Sequence, residues 1–375
     1  MNQNTINILK KQVEIPEIVT NSVQEAYKKI YQEIEMPEHL SQRTDTDSFW
    51  RVHHFAACLM VGILAIGGIT AGAAVYHQWS KGLTEIMQVQ EEEKPDLEET
   101  AVADFLEQAV TIDGVTVTAK QTIVDNYNAY ISFKVEGYEL AETEEPGFGS
   151  VKVSVGGRDT SILGGGFYDG LVTGPYGLVV LEDGSPVPKD ENGKLIVSYE
   201  MEDGSLEYHL SLFSEEKGSF LNQPIHVKLS DLGVFEKTDF TAKRQGDWEF
   251  DWTLQGTDDV YSTKCQGTLG DTGATLIAAE ISPISIKTVI QSNPATSKEP
   301  PALIGVKLKD GTFYPYVTSG GQRSYDAKQG QYEFIDGTER ILDVEQVKSL
   351  LFLKSAPKIG EEELTEENCY EVKIR

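Results

Sequence analysis

The stretch at residues 113–135, DGVTVTAKQTIVDNYNAYISFKV, decides the fold. Asp113-Gly114 offers the positive φ values that a tight hairpin turn requires. Behind it, Val115 and Val117 point the same way. In AYISFKV, Ala129, Ile131, Phe133 and Val135 share one face, while Tyr130, Ser132 and Lys134 share the other. Period-two alternation among β-branched and aromatic residues marks strands with one buried face.

The pattern continues downstream through VKVSV (151–155), LIVSYEM (195–201), YHLSLF (208–213) and IHVKL (225–229). The pairs Asp183-Gly184, Asn192-Gly193 and Asp203-Gly204 stand between the runs as turns. Roughly seven or eight short strands up to Leu229 suit a β-sandwich. Residues 230–244 read as a linker to a second unit, which opens on GDWEFDWTL (246–254). There Trp248, Phe250, Trp252 and Leu254 alternate with Asp247, Glu249, Asp251 and Thr253, giving a half-buried strand with a heavy inner face. CQGTL, TLIAAEISPISIKTVI, IGVKLKDGTFYPYV, YEFI and CYEVKI follow as strands, with Asp310-Gly311 as a hairpin turn. ILDVEQVKSLLFL (341–353) fits a strand pair or a short helix. The two units share a style but no sequence repeat. The expected fold is mainly β: two tandem β-sandwich-like (Ig-like) domains at 110–236 and 245–375.

Upstream the character changes. Residues 55–76, FAACLMVGILAIGGITAGAAVY, contain no charged side chain. At about 1.5 Å per residue such a helix crosses a hydrocarbon core about 30 Å thick. Trp50 lies before it, and Tyr76 and Trp79 close its far end, as rings at a headgroup layer do. A buried helix of a soluble protein is the competing reading, but it seldom runs so long without a charge. A cleaved leader would lie nearer the N-terminus and have a shorter apolar core. The stretch reads as an uncleaved transmembrane helix that binds the lipid bilayer. Gly68 and Gly72 form a GxxxG in it, a pattern that permits a homodimer through close helix packing.

Residues 1–54 form a polar arm. After Pro16, Val19, Val23, Tyr27, Ile30 and Ile34 recur at helical spacing as one apolar stripe, and Pro37 ends the run. A lone amphipathic helix of this length is marginal in water. Its stripe lies either on a membrane surface or in the groove of a cytosolic partner. Residues 77–109 read as an acidic stalk, with a short helix around Leu83, Ile86 and Met87, a solvated break at EEEKPDLEE, and a further helical stretch from Leu97.

The chain of 375 residues carries a formal net charge of −28, of which the arm contributes −2. So acidic a body argues against nucleic acid as a partner. The three cysteines, Cys58, Cys265 and Cys369, form no disulfide framework, although Cys265 and Cys369 leave one bond open. No His/Cys set suggests a metal, and no cofactor motif is present. GxSxG and HExxH are absent. The glycine-rich run SILGGGFYDGLVTGPYG (161–177) lacks the GK[ST] of a phosphate loop and reads as a bulged or ligand-contacting loop. His209 and His226 sit in alternating strands as surface or packing residues. Nothing specifies an enzyme.

The order of parts resembles a family of Gram-positive membrane proteins grouped under a domain of unknown function and described as anti-sigma-factor-like. The shared features are the arm with its IPEIV, the anchor and the stalk. DGVTVTAKQTIVDNYNAYISFKV is similar to that family's first strands, and GDWEFDWTL to the opening of its second β domain. Arg43 and Arg51 before the anchor balance Lys81 and Lys94 after it, so local charge leaves orientation open. The resemblance implies a type II single-pass protein of the cell membrane, with a cytoplasmic N-terminus and extracellular C-terminal domains. It implies signal transduction: the arm holds an extracytoplasmic-function sigma factor and the β domains sense. The arm is shorter than a four-helix anti-sigma domain. The alternative is a cell-surface binding or adhesion module whose arm is a topogenic tail.

Overall fold

The computed structural model describes residues 79–375, apart from 101, 142–143, 175–176, 192, 293–298 and 359–361. The apolar stretch 55–76, the GxxxG pair Gly68 and Gly72, and the stripe of Val19, Val23, Tyr27, Ile30 and Ile34 lie outside the described residues. Among those described, no helix is long and apolar enough to cross a membrane.

The described chain is mainly antiparallel β. The first sandwich contains β1 (Ala103–Ile112), β2 (Val115–Val124), β3 (Asn128–Glu136), β4 (Glu145–Val155), β5 (Arg158–Asp159), β6 (Ser161–Phe167), β7 (Leu171–Thr173), β8 (Val179–Leu181), β9 (Leu206–Phe213), β10 (Pro224–Glu236) and β11 (Asp239–Thr253). One sheet runs β1-β2-β3-β9-β6 and the facing sheet β11-β10-β4-β5, with β7-β8 a separate hairpin. Asp113 and Gly114 take φ of 49° and 78° and close β1 onto β2. The alternation expected at 129–135 holds: Ala129, Ile131, Phe133 and Val135 are buried against Val153, Val227, Trp248 and Phe250 of the other sheet.

The boundary between the two units differs from the expected one. Residues 230–244 are not a linker, and GDWEFDWTL does not open the second unit. β10 and β11 form one long hairpin, paired from Glu236–Asp239 to Pro224–Thr253. Trp248, Phe250, Trp252 and Leu254 complete the first core. The turn hides in sequence because Lys237-Thr238 has no Asn-Gly or Asp-Gly; Lys237 itself takes φ 61°. Phe235 and Phe240 pair across the hairpin at 5.2 Å. Gly147 of β4 makes room for them, since a Cβ there would stand 2.2 Å from the Phe235 ring. LIVSYEM forms no strand: it makes only isolated bridges, and Leu195 and Ile196 are exposed. The glycine-rich run provides edge strand β6 and then β7.

The second sandwich contains β12 (Tyr261–Thr268), β13 (Thr275–Ile281), β14 (Ser285–Gln291), β15 (Leu303–Leu308), β16 (Phe313–Pro315), β17 (Thr318–Asp326), β18 (Gln331–Thr338), β19 (Val347–Leu353) and β20 (Cys369–Lys373). Its sheets run β12-β13-β14-β18-β17 and β16-β15-β19-β20. Residues 341–353 are neither a strand pair nor a helix, but a turn followed by β19.

The two sandwiches have the same topology. Replace β1, β2, β3, β9 and β6 with β12, β13, β14, β18 and β17, and one five-stranded sheet becomes the other; the four-stranded sheets correspond likewise. Even the bulges recur. Those at Phe105/Gln108, Ala119/Gln121 and Ile162/Gly164 match those at Lys264/Gly267, Leu276/Ala278 and Thr318/Gly320. The first unit differs by an excursion, residues 168–205, that carries β7 and β8.

Asp336 shares its face of β18 with the core residue Phe334, and burial alone pushes its carboxyl up to about 7. A folded-state value above the unfolded one of about 4 adds stability below pH 4 that is lost as pH rises to about 7. Asp336→Asn removes that loss. It is expected to stabilise the protein by up to about 4 kcal/mol at pH 8 and by nothing at pH 4. Thermal unfolding at the two pH values checks this, and an equal effect at both would refute it.

Candidate functional site

The described part of the region expected as an acidic stalk is a folded strap at the junction of both sandwiches, with a helix where Leu83 and Ile86 suggested one. Residues 103–109 belong to β1; residues 79–102 carry α1 (Lys81–Ile86) and α2 (Lys94–Glu99). Ser80 caps α1 by accepting from Leu83 N. Leu83 and Met87, four residues apart, are fully buried with Ile123 and Tyr130 of the first sandwich and Ile284 of the second. Pro95, read as the centre of a break, sits in the first turn of α2, where it removes no helical bond.

Trp79 also departs from its expected place at a lipid interface. It is buried, donates from Nε1 to Glu98 at 2.8 Å, and meets Phe105 edge-on at 5.7 Å. The strap bonds the second sandwich as well: Ile341 N donates to Met87 O at 3.4 Å, and Arg340 to Gln88 Oε1 at 3.5 Å.

A polar anchor fixes the strap to the first sandwich. Glu207 and His209 sit two apart on β9, on the face away from the core. The Glu207 carboxylate accepts from Ser80 Oγ, from Gly82 N at 3.1 Å, and bonds His209 Nε2. Ser80 N donates to Gln121 Oε1 at 2.9 Å. Burial pushes the Glu207 carboxyl upward, but the His209, Ser80 and Gly82 bonds outweigh it and hold the carboxyl below the usual glutamate value. Gly82 is required by contact, because a Cβ there would lie 2.2 Å from His209 Cε1.

A second polar cluster joins the sandwiches directly. Asp125 lies in the β2–β3 turn and is fully buried. Its Oδ1 accepts from Tyr127 N and Asn128 N, both at 2.9 Å, and its Oδ2 from Ser285 Oγ at 2.6 Å. Burial raises the Asp125 carboxyl, opposed by those bonds. Ser285 begins β14, whose own turn from β13 repeats the Asp125 N to Asn128 O bond as Ser282 N to Ser285 O. The seam therefore joins two equivalent turns. Tyr127 donates to Glu280 at 3.1 Å, and Tyr130 OH shares a hydrogen bond with Ser319 at 3.0 Å; burial pushes the Tyr130 phenol up to about 12.

A cleft of about 680 Å³ runs between α2, the inter-sandwich residues Thr257 and Asp259, and residues 341–344. Its lining mixes apolar side chains, among them Leu97, Val102 and Ile341, with the carboxylates of Glu93, Asp96 and Asp259. Among the described residues no His/Cys/Asp/Glu group is arranged to hold a metal ion. Cys265 and Cys369 stand as half-buried free thiols whose titration burial raises, that of Cys369 to about 11. His226 is a half-buried partner of Asp251 at 3.0 Å. His209, expected as a surface or packing residue, instead bonds Glu207 in the anchor, and Glu207 and Asp125 were not singled out in the sequence. The period-two spacing of Glu207 and His209 was the available signal.

No protein-family model matches the chain, and no curated protein does. A solved structure described as a conserved domain protein from Bacillus anthracis is similar over 66% of this chain and 76% of its own, at 14% identity and a TM-score of 0.39. A likeness of that degree supports no conclusion about function.

Proposed function

We propose that the chain is a single-pass membrane signalling protein of the anti-sigma-factor-like kind. Residues 55–76 span the membrane as a helix. The arm lies in the cytoplasm, and its stripe of Val19, Val23, Tyr27, Ile30 and Ile34 holds an extracytoplasmic-function sigma factor. The tandem Ig-like sandwiches stand outside as the sensor. No catalysis is assigned to the chain.

One observation supports this reading above the others. The segment that follows the apolar stretch in sequence is buried against both sandwiches, through Leu83, Met87 and Ser80. A surface module with a topogenic tail needs only a loose tether there. A sensor needs its tether coupled to the arrangement of its domains.

Substituting the stripe tests the proposal. Val23→Asp with Ile30→Asp places two carboxylates on the apolar face, each costing more in a partner's groove than the roughly 1–3 kcal/mol of an unpaired neutral polar group. The tagged full-length wild type, purified from native membranes, is expected to bring down a sigma factor. The double variant is expected to lose at least about 90% of it. Recovery of no sigma factor with the wild type, or equal recovery with both, would favour the surface-module reading.

A further inference from the structure

The sheet face beneath the strap has the composition of one that meets water. The inward residues of β2, β3 and β9 are apolar: Val117, Ile131, Phe133, Leu210 and their neighbours. The outward residues include Gln121, Ser132, Lys134, Glu207 and His209. In an antiparallel sheet with one face on a core, such a set belongs to the solvated side. Here Gln121 and Ser132 are fully buried, and Gln121 Nε2 and Ser132 Oγ have no hydrogen-bond partner among the described residues. A buried orphan of this kind is unfavourable, and water satisfies it on uncovering. The strap's helices have six residues each, too short to persist without the body they dock on.

The opposing attraction is local. It consists of Leu83, Met87 and Trp79 against Ile123, Phe105, Tyr130 and Ile284, together with the bonds to Glu207 and Gln121 and the two to Ile341 and Arg340. The neighbouring charges are engaged elsewhere: Lys81 with Glu182 at 2.9 Å, Tyr168 with the same carboxylate at 2.8 Å, and Lys134 with Asp203 at 2.8 Å. His209 is thus the basic side chain left to Glu207 among the described residues.

We propose that residues 79–100 form a releasable strap, latched by Ser80 and Gly82 on the Glu207 carboxylate, which opens as a unit while both sandwiches stay folded. Opening returns Gln121, Ser132, Glu207 and His209 to water and frees the chain that leads back to residue 76. The release belongs to the β body and does not rest on the membrane reading.

Hydrogen–deuterium exchange on the purified full-length chain tests it. The reporters are the strap amides of Thr84, Met87 and Val89, which donate to Ser80, Leu83 and Thr84 carbonyls. The amides of β10 and β11, on the opposite sheet, are the reference. In the wild type the strap amides are expected to exchange at least about tenfold faster than the reference, after correction for intrinsic rates. Glu207→Gln should speed the strap amides by about tenfold more and leave the reference unchanged. Gly82→Ala should do the same with the carboxylate intact, by pressing on His209. Strap amides as slow as the reference in the wild type would overturn the proposal. So would variants that speed both sets equally, or that speed neither.

Discussion

Trp248→Ala is expected to lower the stability of the first sandwich by about 3–5 kcal/mol, the usual range for a fully buried large aromatic. For a unit of this size that is a fall in Tm of roughly 10 °C. Trp248 is fully buried at the centre of β11, and its Nε1 donates to Val115 O at 3.3 Å. Phe148 meets its ring edge-on at 5.9 Å, and the same Phe148 packs on Phe167 and Tyr208. Truncation removes one ring from a four-ring cluster, and β10 and β4 cannot collapse into the space without breaking their pairing. Trp248→Phe keeps most of the volume and is expected to lose less than half as much. Calorimetry separates the outcomes. A loss below about 1 kcal/mol for the alanine variant would mean that the core is not built around this ring.

Asp125→Ala is expected to loosen the seam between the sandwiches, at about 3 kcal/mol or more. Removing the carboxylate leaves two buried amides and the Ser285 hydroxyl without their acceptor. Asp125→Asn keeps an oxygen for the turn amides and is expected to lose less. The pH dependence has a definite sign. Burial raises the folded-state value of Asp125, so its contribution is fullest below the unfolded value of about 4 and shrinks as pH rises past it. The gap between wild type and Asp125→Ala should therefore narrow as pH rises above about 4. A gap that widens would show that the carboxylate is stabilised as an anion in the seam.

Much of the β architecture was legible in sequence, because period-two alternation records which face meets the core. Val115 to Val135 and Trp248 to Leu254 faced as expected. The turn at Lys237-Thr238 was not legible, since nothing about Lys or Thr demands positive φ, and with it the boundary between the units was misplaced. The common topology of the two sandwiches was hidden for a related reason. Strand order and bulge positions constrain only the alternation of polar and apolar residues, which many unrelated sequences satisfy.

The junction was the least legible part. Residues 91–99, EEEKPDLEE, look solvated because α2 buries none of its residues fully. The burial that matters falls on Trp79, Leu83 and Met87, too few and too widely spaced to stand out. Asp125, Glu207 and His209 gain their roles from partners 160, 127 and 2 residues away. Only the last of these separations is short enough for a sequence pattern to register.

The most direct measurement compares genome-wide transcript levels in native cells carrying full-length wild type, Glu207→Gln, and Glu207→Gln combined with Val23→Asp and Ile30→Asp. Glu207→Gln is expected to shift one coherent set of transcripts, and the stripe substitutions to abolish the response to the latch. If Glu207→Gln opens the strap by hydrogen exchange yet leaves every transcript at its wild-type level, the strap does not transmit a signal to the arm.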